Sequence, residues 1–143
     1  MKILSCGAGM QSTALALMSC ENKKEIKYKE VPIYDAVIFC DLGSEPIWVY
    51  KQVDFIKNAC EDAEIPFYIL DTHLHQDYLN NFGKRRVVSI PFWSVDENGK
   101  KGKMMRNCTL DYKINEIIKF VKYKLLGYVK YQRVKVEDLK AHE

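Results

Sequence analysis

The sequence SCGAGMQST, residues 5–13, joins a short apolar run to an apolar segment of helical length. A strand that ends in a glycine-rich turn and opens into a helix aims several backbone N–H groups at one point beyond the strand. Gly7 and Gly9 allow positive φ and close approach of an anion, and Ser12 and Thr13 add hydroxyl donors. The stretch alone predicts an anion site and a simple tight turn about equally.

Strand and helix signals alternate through the N-terminal half, which is the pattern of a parallel α/β sheet. The predicted elements are a strand at Ile3-Leu4, a helix over Gln11–Cys20, a charged surface stretch Glu21–Lys29, a strand at Ala36–Cys40, a helix from Glu45-Pro46 to Asp62 and a strand at Phe67–Leu70. Ligands of such sheets bind beyond the carboxyl ends of the strands. We therefore expect Gly7–Ser12, Asp41-Leu42-Gly43 and Asp71 to share one rim.

The C-terminal half is less regular. Asp77–Arg86 is polar and suggests a loop, whereas Asn98-Gly99 between two segments predicts a hairpin. Apolar residues at helical spacing then predict an amphipathic helix over Leu110–Leu126, with Thr109 as its cap and Gly127 at its end. The apolar positions of that helix are Ile114, Ile117, Ile118, Val121 and Leu125.

Composition narrows the class of protein. A chain of 143 residues with 48% hydrophobic residues is the size of one domain, 1–143, with a core over about 1–127 and a basic tail over 128–143. Five cysteines without a C-x-x-C pair argue against a disulfide framework, an iron–sulfur cluster and a four-cysteine zinc site. A reduced, cytoplasmic protein is expected, and no apolar run approaches the roughly 20 residues of a membrane span.

A second set of polar residues surrounds the start of the last predicted helix. Arg106, Thr109 and Lys113 place a guanidinium, a capping hydroxyl and an ammonium near one helix N-terminus, which suits a phosphate or sulfate. Cys108 lies among them and is a candidate nucleophile. An exposed basic turn and a buried, purely structural cysteine are the alternatives.

The block Gly7-Ala8-Gly9-Met10-Gln11-Ser12 resembles the PP-loop of the adenine nucleotide α-hydrolase group, which includes ATP pyrophosphatases and phosphoadenosine phosphosulfate (PAPS) reductases. More narrowly, the chain resembles a phage and prophage branch of the PAPS reductase family. The segments that carry this resemblance follow in the same order, Asp41-Leu42-Gly43-Ser44-Glu45, Ile90-Pro91 and Arg106-Asn107-Cys108-Thr109-Leu110-Asp111-Tyr112-Lys113-Ile114. In two departures, Gly7 replaces a serine and Gln11 replaces an aspartate that helps hold magnesium. The resemblance covers about Ile3 to Gly127.

The resemblance implies a single Rossmann-like α/β domain, adenine nucleotide α-hydrolase-like, with a β-hairpin inserted before the last helix. It implies an adenine nucleotide, ATP or PAPS-like, as the ligand, with magnesium left open. Arg106 and Lys113 would stabilise a leaving pyrophosphate, with Cys108 beside them. The residues implied in nucleotide binding are Ser5, Gly7, Ala8, Gly9, Gln11, Ser12, Thr13, Phe39, Cys40, Asp41 and Gly43.

Three functions stay open from the sequence. The leading one is hydrolysis or transfer at the α–β phosphate linkage. The alternatives are an inactive phage-type modulator, which binds a nucleotide or a protein partner, and a sulfonucleotide reductase. Reductases of this kind use a cysteine near the C-terminus, and the chain has none after Cys108. A homo-oligomer is left open, while a net charge of +3 does not favour nucleic acid as the partner despite the basic tail.

Overall fold

The computed structural model describes residues 1–72, 74–81, 93–103, 110–130 and 132–133. The described elements are β1 (Ile3–Cys6), α1 (Met10–Lys24), β2 (Ala36–Asp41), α2 (Ile47–Asp62), β3 (Phe67–Asp71), α3 (Leu74–Asn81), β4 (Trp93–Val95) and β5 (Lys101–Lys103), followed by a composite helix of three consecutive segments, π-helical Leu110–Ile114, α-helical Asn115–Phe120 and π-helical Val121–Leu125.

The three longest strands form a parallel sheet in the order β1-β2-β3. Ile3 pairs with Ala36 at the start of the sheet, and Asp41 pairs with Asp71 at its end. The expected mixed α/β fold, with a parallel sheet flanked by helices, is therefore confirmed. The strands begin where they were predicted and run one or two residues longer.

One face of the sheet carries the main core. α1 and α2 pack on this face, and their contact residues are buried together with the inward-facing residues of β1 and β2. The members of this cluster are Leu4, Cys6, Ala16, Cys20, Val37, Ile56, Cys60, Ala63 and Ile65. Full burial of one aliphatic side chain stabilises by about 1.5–3 kcal/mol, so this cluster holds the two helices on the sheet.

The opposite face is covered by the composite helix. The Cys40 thiol donates a hydrogen bond to the Lys113 carbonyl at 3.7 Å, and the Tyr68 and Phe120 rings lie 5.0 Å apart. Ile114 and Ile118 are 44% and 57% exposed, so the predicted apolar face of the helix is wrong at these two positions. The prediction assumed 3.6 residues per turn, and π-helical turns hold more.

The composite helix ends as predicted at Gly127. This glycine has φ +68°, the left-handed conformation that glycine adopts at helix C-termini. The Tyr128 N–H donates to the Lys122 carbonyl at 3.0 Å, which closes the last turn. Thr109, the predicted cap at the other end, lies outside the described residues.

α1 continues to Lys24 and thus beyond its predicted end at Cys20. The stretch that follows Cys20 was predicted to lie at the surface, which is wrong for Asn22, a residue only 3% exposed. The Asn22 amide donates to the Tyr28 and Val31 carbonyls at 2.8 Å each, and its oxygen accepts two backbone N–H groups of the following loop. Asn22 therefore organises the connection from α1 to β2.

Two further predictions concern the chain after β3. The loop expected over Asp77–Arg86 is wrong as far as Asn81, because α3 covers this part. The hairpin is confirmed, since β4 and β5 pair antiparallel around Asn98-Gly99. Asp96 accepts the Asn98 and Lys100 N–H groups at 2.9 and 2.8 Å, and Gly99 has φ +78°.

Within the described parts of the chain, no helix has the length and apolar character needed to cross a membrane. The predicted basic tail lies outside the described residues from position 134 onward.

Candidate anion-binding site at the strand ends

The loop between β1 and α1 differs from its prediction in one respect. Ala8, not a glycine, has positive φ there, at +53°, whereas Gly9 is extended with φ −83° and ψ 172°. Neither Gly7 nor Gly9 has positive φ, so this part of the prediction is wrong. A Cβ added at either glycine would meet no atom within 4 Å, so both face open space. What the two glycines provide is an uncovered backbone that a ligand can approach closely.

The N-terminus of α1 faces the same open space. The Thr13 N–H donates to the Gly9 carbonyl at 3.0 Å and is the first N–H to make an intrahelical bond. The N–H groups of Met10, Gln11 and Ser12 come before it and have no intrahelical acceptor, as at every helix N-terminus. With the positive end of the helix dipole, these groups favour an anion.

The hydroxyls predicted as additional donors hold the loop in place instead. The Ser12 hydroxyl donates to the Gly9 carbonyl at 3.2 Å. Thr13 is buried, and its Oγ1 accepts a hydrogen bond from Gln52 Nε2 on α2 at 3.3 Å. The backbone at the start of α1 is thus fixed from both sides, by its own first turn and by the neighbouring helix.

The end of β2 forms a second fixed point on the same edge. Asp41 Oδ1 accepts from the Gly43 N–H at 2.8 Å and from the Tyr50 hydroxyl at 3.0 Å. The Asp41 carbonyl accepts both the N–H and the hydroxyl of Thr72, at 3.0 and 2.9 Å. Partial burial raises the pKa of Tyr50, and the hydrogen bond to Asp41 adds to this, so Tyr50 stays a neutral donor. The turn after β2 is therefore rigid.

Lys113 reaches this edge from the composite helix. Its Nζ lies 3.7 Å from Glu45 Oε1, and the two side chains are 28% and 20% exposed. Its carbonyl accepts the Cys40 thiol. Burial raises the pKa of Cys40 to about 11, which keeps this thiol protonated at neutral pH. Side chain and backbone together fix Lys113 to the end of β2.

The structure thus brings several predicted stretches to one edge, because β1, β2 and β3 are parallel and end there. Lys113 joins them through Glu45. Phe39 and Cys40 lie within the central strand, and Ser5 is exposed on β1. Arg106 and Cys108 lie outside the described residues, so their predicted roles stay predictions.

Three residues of this edge were missed as site residues. Glu45 was interpreted as the cap of a helix and as the last residue of the Asp41–Glu45 motif, but not as a site residue, and the N-cap of α2 is Pro46. Tyr50 and Thr72 gave no signal, because a single tyrosine in a helix and a threonine after a strand are common. Their partner Asp41 was predicted, and its position at a strand end was the available clue.

The described residues do not fit a dedicated magnesium site. Among them, no group of three or more histidine, cysteine, aspartate or glutamate side chains is arranged to hold a metal ion. Gln11 stands where the resemblance expects an aspartate, and Asp41 Oδ1 is already engaged with two donors.

Comparison of the chain with protein-family models, with curated proteins and with solved structures finds no match. The resemblance to PP-loop proteins accordingly depends on the quoted motifs alone. The ligand of the strand ends is therefore inferred from those motifs and from the geometry of the edge.

Proposed function

We propose that the chain binds an adenine nucleotide, ATP or PAPS-like, across the strand ends and acts at its α–β phosphate linkage as a hydrolase or transferase. One observation carries the proposal: the uncovered backbone at Gly7 and Gly9 opens directly into α1, at the edge where Lys113 also lies. A helix N-terminus and a fixed ammonium suit two phosphates of one ligand better than they suit a neutral molecule.

The near phosphate belongs on the loop before α1. Three N–H groups precede the first intrahelical bond, and α1 is 15 residues long, long enough for a full dipole. The hydrogen bonds of Ser12 and Thr13 keep these donors in position before a ligand arrives. A preformed site of this kind loses little free energy to ordering when the ligand binds.

The distal phosphate belongs beside Lys113. In the free protein its ammonium is paired with Glu45 at 3.7 Å, so an anionic ligand competes with this carboxylate. A charged hydrogen bond is worth about 1.5–3 kcal/mol, enough to redirect a partly exposed side chain. Arg106, seven residues earlier in the chain, is the second cation assigned to this phosphate.

The adenine belongs near the turn after β2. Phe39 pairs with both β1 and β3, whereas Cys40 pairs with β3, so we assign these two residues a role through their position in the sheet. The Asp41 carbonyl is occupied by Thr72. The open part is the turn at Gly43, where φ is +78° and the chain leaves the sheet.

A binding protein without catalysis is the second candidate, and two observations favour it. Gln11 replaces the carboxylate expected at the loop, and Glu45 balances the charge of Lys113. Cys40 does not suit the role of the reacting thiol in the reductase alternative, because its pKa of about 11 keeps it protonated. That leaves Cys108 as the candidate thiol for the reductase alternative.

Replacement of Gly9 by valine tests the loop directly. The backbone at Gly9 is extended and a Cβ meets nothing within 4 Å, so the variant is expected to fold normally. The branched side chain would cover the N–H groups, and we expect affinity for ATP and for pyrophosphate to fall at least about tenfold, or 1.4 kcal/mol. Calorimetric titration together with thermal melting measures both properties.

Ile26→Val is the control, because it places a valine at a 71% exposed position beyond the C-terminal end of α1, at the opposite end of the helix from the loop. It should retain affinity. A folded Gly9→Val protein with unchanged affinity would exclude the loop as the site. Release of AMP and pyrophosphate from ATP by the wild type then separates the enzyme from the non-catalytic binder.

A further inference from the structure

Two core thiols that the proposed function does not use face each other across the interface of α1 and α2. Cys20 Sγ lies 3.8 Å from Cys60 Sγ, within a thiol–thiol hydrogen bond. Both are free and buried, with 6% and 0% of their surface exposed. One belongs to the fourth turn of a helix that starts at Met10 and the other to the last turn of α2.

We propose that Cys20 and Cys60 are an oxidation site, at which a peroxide converts the two thiols into a reversible disulfide that links α1 to α2. In the first step the thiolate of one cysteine attacks a peroxide oxygen, the O–O bond breaks, and a sulfenic acid and one water form. In the second step the other thiol attacks the sulfenic sulfur and releases a second water. The two sulfurs lose two electrons in total, and hydrogen peroxide takes them up.

The two thiols differ in acidity because they share one hydrogen bond. The bond with Cys60 lowers the pKa of Cys20, burial opposes this, and Lys24 one turn later adds a smaller lowering effect. The hydrogen bond with Cys20 raises the pKa of Cys60, and burial adds to this. The geometry lets either thiol attack the peroxide, because its neighbour 3.8 Å away can resolve the sulfenic acid.

The distance is compatible with bond formation after a small movement. A disulfide needs sulfurs about 2.05 Å apart, so each sulfur must move by about 1 Å. Rotation of the two side chains within the interface supplies a movement of this size. Because both thiols are buried, peroxide reaches them when the helix interface opens transiently, and the reaction is expected to be slow.

The other described cysteines serve as internal controls. Cys6 belongs to the same core cluster but lies on β1, and Cys40 lies in β2, where it bonds to the Lys113 carbonyl beneath the composite helix. Neither is hydrogen-bonded to a thiol in the described part of the chain. A random oxidation of cysteines would not select the pair Cys20 and Cys60 over these two.

The test is treatment of the folded, full-length protein with hydrogen peroxide, followed by alkylation and peptide mapping by mass spectrometry. We expect a loss of about 2 Da per chain, a linked peptide pair that contains Cys20 and Cys60, and full reversal by dithiothreitol. The link closes a loop of about 40 residues, so the melting temperature should rise by on the order of 10 °C.

Cys20→Ala should abolish the link and the rise in melting temperature, while Cys6→Ala, a replacement in the same cluster, should keep both. A linked pair that joins other cysteines in the wild type would overturn the proposal. So would a link between Cys20 and Cys60 that forms in denaturant but not in buffer. Both outcomes are read from the wild type, so they do not depend on whether the variants fold, and neither depends on nucleotide binding.

Discussion

The two faces of the sheet are built differently. α1 and α2 bury one face with side chains such as Ile56, Cys60 and Ala16, each of which is fully buried. The composite helix covers the other face, and none of its described residues from Asn115 to Leu125 is buried. Its attachment depends instead on a few named contacts, from Lys113 to Cys40 and Glu45 and from Phe120 to Tyr68.

The first face mainly stabilises the fold, whereas the second face mainly positions Lys113. The first face supplies the burial that holds the fold, and it fixes the start of α1 rigidly through Thr13 and Gln52. The second face places Lys113 at the strand ends, on a helix that buries none of its own described side chains from Asn115 to Leu125. A site shared by the two faces would combine the anion-binding loop of one face with the ammonium of the other.

Two isoleucines, one on each face of the sheet, are expected to show the largest difference in stability. Ile56→Ala on the first face should lower the free energy of unfolding by about 2–5 kcal/mol, because this side chain is 0% exposed and its removal leaves a cavity. Ile118→Ala on the second face should cost less than about 1 kcal/mol, since this side chain is 57% exposed. Urea unfolding of both variants gives the two values, and equal losses would contradict the contrast.

Two ion pairs of equal length give a smaller expected effect. Lys113→Met removes a half-buried pair with Glu45 and should cost about 1–2 kcal/mol of unfolding free energy. Lys57→Met removes an exposed pair with Glu61, also 3.7 Å long, and should cost less than about 0.5 kcal/mol. The same unfolding experiment measures both, and a larger loss at Lys57 would show that Lys113 does not help to fix the composite helix.

The pH dependence of the free energy of unfolding should show the smallest effect, and it concerns Cys40 on the second face. Burial raises the pKa of Cys40 from its usual 9.0 to about 11, so its contribution is present below pH 9 and is lost as pH rises from 9 to about 11. Unfolding free energy should therefore fall more steeply between pH 8 and 10 in the wild type than in Cys40→Ala, by on the order of 1 kcal/mol or less. If the two proteins show parallel curves of unfolding free energy against pH, the Cys40 thiol is hydrated in the folded state and the prediction is wrong.

Much of the first face could be predicted from the sequence. Continuous apolar runs gave β1, β2 and β3, and the spacing of Val53, Ile56 and Cys60 gave α2. These signals are local, and the one for β2 is the strongest, because this strand is buried on both faces and its run has no polar residue before Asp41. The common edge at which the strands end was predicted from the parallel arrangement of the strands alone.

The missed features depend on the backbone or on distant partners. The positive φ of Ala8 is a property of the turn, and an alanine between two glycines gives no sign of which residue adopts it. Asn22 is buried because the following loop folds over it, which no periodicity reveals. The partner of Lys113 is Glu45, 68 residues earlier in the chain, and only the topology brings the two together.

The strand order β1-β2-β3 has a consequence for how the chain is made. Each strand of the sheet pairs with the one synthesised just before it, across a separation of about 30 residues. The main core uses residues from Leu4 to Ile65 and therefore needs nothing from the second half of the chain. Once the first 70 residues have left the ribosome, every side chain of that core has been synthesised. The loops that close when successive strands pair are short, at about 30 residues each. The composite helix then arrives on a sheet whose first face is already complete.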